Sequence, residues 1–114
     1  MKIDGKEAGF LYSIGADCDI DDELQKIGAQ DFAGMIERLG TAKSYVKMAV
    51  ILNKWWSMQH GTDPITEKDL MLLNAGDLET LQNAVLKAFQ DGRKTGIKTQ
   101  PVKGKNAESA VKSN

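Results

Sequence analysis

Apolar residues recur at helical spacing along most of the chain, and glycine, proline and aspartate separate the runs. Ala16, Ile20, Leu24 and Ile27 are four, four and three positions apart, which puts them on one face of a helix over residues 16–27. Asp17, Asp19, Asp21, Asp22 and Glu23 fill the positions between. Carboxylates near a helix start are favoured by the macrodipole, so this helix should begin between Gly15 and Asp19, and Gly28 suits its end. A shorter stripe, Phe32, Met35, Ile36 and Leu39, stops at Gly40.

The longest helix is predicted over residues 42–59, with Thr41 as its N-cap. Tyr45, Met48, Ala49, Leu52, Trp55 and Trp56 form one face, and Val46, Val50 and Ile51 widen it. Lys43, Lys47, Asn53 and Lys54 mark the wet side. So wide an apolar arc calls for burial on more than one side, either as the centre of a bundle or against a partner. The stretch His60-Gly61-Thr62-Asp63-Pro64 then breaks the helix, because a residue before proline avoids the helical region.

Thr66 with Asp69 reads as a capping box for a short helix through Leu70, Leu72 and Leu73. After Gly76, Asp77 is placed as the cap of a last helix over 78–92, with Leu78, Leu81, Val85 and Phe89 on one face and Leu86 beside them. At the other end, Asp4-Gly5 is a hairpin-turn dipeptide, and Phe10–Ile14 is rich in β-preferring residues. Two short strands are marginal alone and must pack on the helices. The expected fold is therefore mainly α: a small helical domain over 1–92 with an N-terminal β-hairpin.

Charge divides the chain at the same place. Residues 1–92 hold nine Lys/Arg against fifteen Asp/Glu, whereas residues 93–114 hold six against one. The body is acidic, at −6, and the tail is basic, at +5. Beyond residue 92 apolar periodicity stops, and a segment of that composition is expected to stay disordered in isolation. A nucleic-acid-binding regulator using this tail is the alternative reading. An acidic body opposes phosphate binding, and six cations over 22 residues with no aromatic form a weak signal, so nucleic acid is disfavoured. The last two helices suggest a helix-turn-helix, but Asp77, Glu79 and Asp91 suit a recognition helix poorly.

Candidate chemistry is sparse. Asp17-Cys18-Asp19-Ile20-Asp21 begins like a calcium-binding loop, yet the sixth position is Asp22 rather than Gly and the twelfth is Gly28 rather than Glu. Cys18 is the only cysteine and His60 the only histidine, so neither a disulfide nor a Cys/His zinc cluster fits one chain. No nucleophile elbow, phosphate loop or HExxH is present. The reading is non-enzymatic, without cofactor or metal. No long apolar run suggests a membrane span or a signal peptide, which leaves a reducing cytoplasm as the expected setting.

The order of elements resembles the tail assembly chaperones of long-tailed bacteriophages and prophages. Ile3-Asp4-Gly5-Lys6, then Leu11-Tyr12-Ser13-Ile14-Gly15-Ala16, is similar to their opening hairpin and acidic helix. Ala49-Val50-Ile51-Leu52-Asn53 through Pro64-Ile65-Thr66-Glu67-Lys68-Asp69-Leu70 is similar to their central helix and the entry to the next. Asp77-Leu78-Glu79-Thr80-Leu81, Ala84-Val85-Leu86-Lys87-Ala88-Phe89 and the basic tail resemble their ending. The resemblance covers residues 3–98, and the order of the motifs carries it. It implies a host-cytoplasmic protein that coats the tape-measure protein and keeps it soluble until tail-tube subunits polymerise round it. Tyr45, Met48, Leu52, Trp55, Trp56 and Met58 are the residues expected at the client surface, or at a homo-oligomer contact.

Overall fold

The structure, a computed structural model, describes residues 1–3 and 5–94. The expected tail from residue 95 onward lies outside the described residues. A two-stranded antiparallel hairpin, β1 (Lys2–Ile3) and β2 (Lys6–Glu7), opens the chain, with Ile3 opposite Lys6 and Gly5 between them. Five helices follow: α1 (Ile14–Ile27), α2 (Phe32–Leu39), α3 (Thr41–His60), α4 (Glu67–Met71) and α5 (Leu78–Gly92). The chain is mainly α with an N-terminal hairpin, as the periodicity indicates.

Local chemistry sets the helix ends. Ser13 caps α1 by accepting from the Ala16 N–H, and Gly28 closes it at φ 71°, a left-handed conformation costly for a residue with a Cβ. Asp31 caps α2 through the Gly34 N–H. At α4 both halves of the capping box are made: Thr66 accepts from the Asp69 N–H and Asp69 accepts from the Thr66 N–H. Two expected caps differ. Thr41 is already helical and Gly40 occupies the cap position of α3, while Asp77 makes no capping hydrogen bond to α5.

The hairpin differs too. Its second strand is Lys6–Glu7, not Phe10–Ile14. The Ala8 N–H still donates to the Met1 carbonyl, and residues 9–13 then run as an arm that finds its partners on α3 instead of a strand. The Leu11 N–H donates to the Leu52 carbonyl at 3.0 Å, and Asn53 Nδ2 donates to the Gly9 carbonyl at 2.9 Å. Ile14 belongs to α1, where it is 86% exposed; its β preference yields to the Ser13 cap.

α3 is the hub, contacting α5, α2, α1 and α4. One core unites Met35 of α2, Val46, Met48, Ala49 and Leu52 of α3, Leu81 and Val85 of α5, and Ile3 and Ala8 of the N-terminal segment. The wide apolar arc of α3 is thus spent on four neighbouring helices and the arm.

Candidate functional site

The structure separates the six residues expected at a binding surface. Met48 and Leu52 are fully buried and Tyr45 is 9% exposed, packed edge-on against Phe32. These three are core rather than surface, because α1, α2 and α5 cover the side of α3 they occupy. Met58 is 65% exposed near the end of α3. The two tryptophans are half-buried and already engaged.

Trp55 Nε1 donates to Asp19 Oδ2 at 2.8 Å, and Lys54 Nζ pairs with the same oxygen at 2.7 Å. Gly15 of α1 lies so near that a Cβ there would sit 2.4 Å from the Trp55 ring. Trp56 stacks on His60, centroids 4.1 Å apart, and presses on Gly9 of the arm. Both indoles hold the N-terminal segment onto α3. Hydrogen bonds from Lys54 and then Trp55 hold the Asp19 carboxyl below its usual range. A lowered carboxyl contributes stability above the ordinary aspartate value of about 3.9 and loses it as pH falls through the folded value. Asp19 is 30% exposed, so the expected contribution is only about 0.5–1 kcal/mol. Urea titrations from pH 7 down to 3 should show Asp19→Asn losing that much less stability than the parent chain.

An open apolar surface exists elsewhere, around α4. Leu70-Met71-Leu72-Leu73 are four consecutive apolar residues, the first two ending α4 and the last two lying in the turn that follows it. A five-residue helix and the turn after it, packed chiefly on α3, leave part of that run uncovered. Leu70 is 3% exposed, Met71 52% and Leu72 73%. Beside them runs a groove of about 240 Å³. Ala42 and Val46 of α3 form one wall, Leu70, Met71 and Leu73 the second, and Leu78 and Leu81 of α5 the third. Asn74, Ala75 and Asp77 complete the lining. Its volume is below the roughly 300–1,000 Å³ typical of small-molecule pockets, and suits side chains inserted by a partner.

A short helix through Leu70, Leu72 and Leu73 does not by itself reveal this groove, because the pattern leaves out Met71 and does not say which of these residues a neighbouring helix covers. The unbroken run of four was the available signal, since exposed apolar runs of that length are functional or errors.

A second hollow of about 350 Å³ beside Trp56 has Asn53 and Ser57 among its lining residues. Asn53 Oδ1 already accepts from Ser57 Oγ and the Ile65 N–H. His60 Nδ1 lies 2.9 Å from the Trp56 carbonyl, so it serves its own helix. Cys18 is exposed on α1. Among the described residues no three His, Cys, Asp or Glu side chains group as metal ligands, and no helix is long and apolar enough to cross a membrane. Comparison of the chain with protein-family models, curated proteins and solved structures gives no match.

Proposed function

We propose that this chain is a non-enzymatic tail assembly chaperone that binds helical segments of a tape-measure protein and keeps them soluble during phage tail assembly in the host cytoplasm. The observation that carries the reading is the open apolar groove between α3, α4 and α5, rimmed by Met71. A chaperone for amphipathic helices needs apolar surface beyond its own core, presented as a groove into which spaced side chains insert. Methionine adapts its shape at low cost, which suits a client of many similar but unequal segments. The resemblance in the order of sequence motifs supplies the identity of the client, and the tail-tube protein as the later participant.

The binding surface in this proposal is α4 and its groove, not the Trp55–Trp56 face. Burying a methionine side chain is worth about 1.5–3 kcal/mol, whereas changing an exposed one leaves fold stability within about 0.5 kcal/mol. Met71→Lys should therefore weaken binding to a tape-measure segment at least about tenfold with an unchanged melting temperature. Co-expression followed by sedimentation, with a direct titration of the purified pair, measures both effects. Full retention of client solubility by Met71→Lys together with Leu72→Gln would remove the basis of the proposal.

A further inference from the structure

We infer that the groove between α3, α4 and α5 selects amphipathic helices carrying a cationic residue next to their apolar anchors; this rests on the groove being the client site. Asp77 is the one charged residue among those lining the groove. It is exposed, and its carboxylate neither caps α5 nor joins an ion pair among the described residues. With no partner among the described residues, the charge remains available to a bound helix.

The opposing field is that of α5 itself, whose first residue follows Asp77. A helix N-terminus carries roughly half a positive charge, which offsets only about half of the carboxylate. The groove therefore keeps a partly offset negative charge at Asp77 beside its apolar walls. Leucine-like anchors fill the walls, and a lysine or arginine within a turn of them reaches Asp77. A glutamate at that place meets repulsion and is rejected.

The test uses the full chain and synthetic 14-residue helices of leucine, alanine and glutamine that differ only in one lysine, glutamine or glutamate beside the leucines. Binding is read by fluorescence anisotropy at low and high salt. An exposed pair is worth up to about 1 kcal/mol, so the lysine helix should bind up to about fivefold tighter than the glutamine helix, and tighter still than the glutamate one. Salt should shrink the gap. In Asp77→Asn the preference should vanish or reverse, since only the dipole of α5 remains, with the circular dichroism unchanged. Equal binding of all three helices, abolished by Met71→Lys, overturns the charge selection and leaves the groove as client site. Binding of none of them, or binding insensitive to Met71→Lys, overturns the client site itself. A dimer in sedimentation that the lysine helix dissociates would assign the groove to a second copy and overturn the inference.

Discussion

Asn53→Leu should lower the stability of the chain by about 2–5 kcal/mol, a large part of the 5–15 kcal/mol that holds a domain of this size together. The residue is 1% exposed in the middle of α3. Its Nδ2 donates to the Gly9 carbonyl at 2.9 Å, and its Oδ1 accepts from the Ile65 N–H at 2.7 Å and from Ser57 Oγ at 3.2 Å. One amide thus ties together the arm, α3 and the loop that leads to α4. Leucine has the same branched outline with bulkier methyl ends, so no cavity forms. The loss comes from stranded backbone groups, each costing about 1–3 kcal/mol when left unpaired in the interior. The Ser57 hydroxyl can turn to the carbonyl one turn back and adds little.

Asn53→Asp separates the two halves of this role. The acceptor survives, but a carboxylate now faces the Gly9 carbonyl, so the new group's pKa is raised in the fold. Stability linked to a raised pKa is present below the unfolded value and lost as pH rises through the folded one. This variant should approach the parent in acid and fall well below it at neutral pH. Equilibrium urea unfolding at several pH values measures both variants. A cost below 1 kcal/mol for Asn53→Leu would mean that water replaces the amide, and that the loop is held by something else. The consequence for function is direct: Ile65 precedes Thr66, which caps α4, so losing Asn53 frees the wall of the groove that carries Met71.

Much of this fold is written in the spacing of apolar residues. The stripes of α1 and α2, the glycine that ends each, and the Thr66–Asp69 box are local features, and they appear where local rules put them. What escaped the sequence is long-range. Asn53 reads as a wet-side residue beside Lys54, and only its contacts 44 and 12 positions away account for its burial. Phe10–Ile14 has strand composition, but propensity cannot say that the arm's hydrogen bonds go to a helix. Tyr45, Met48 and Leu52 were legible as one face of α3, though not whether a neighbouring helix or a partner covers that face. The groove around α4 was partly legible, since four apolar residues in a row exceed what a short helix and its closing turn can hide.

Gly9→Ala should cost about 1–3 kcal/mol, and the reason lies in how the arm meets Trp56. A Cβ at Gly9 would stand 2.2 Å from Cε2 and Nε1 of the indole, well inside contact distance. The arm cannot simply lift, because its carbonyl at the same residue accepts from Asn53 and the next bonds run from Leu11 to Leu52. The ring must move instead, giving up its stacking on His60. Trp56→Ala alone removes a half-buried ring and should also destabilise, which distinguishes a post for the arm from a free binding surface. The decisive measurement is the pair. With the indole gone, the added methyl at residue 9 has room, so Gly9→Ala in the Trp56→Ala background should cost less than about 0.5 kcal/mol. Additive costs in that double-mutant cycle would show that the glycine is needed for its backbone alone. Binding to a client helix should follow stability in all three variants and show no loss beyond it, because the groove that takes the helix lies at α4.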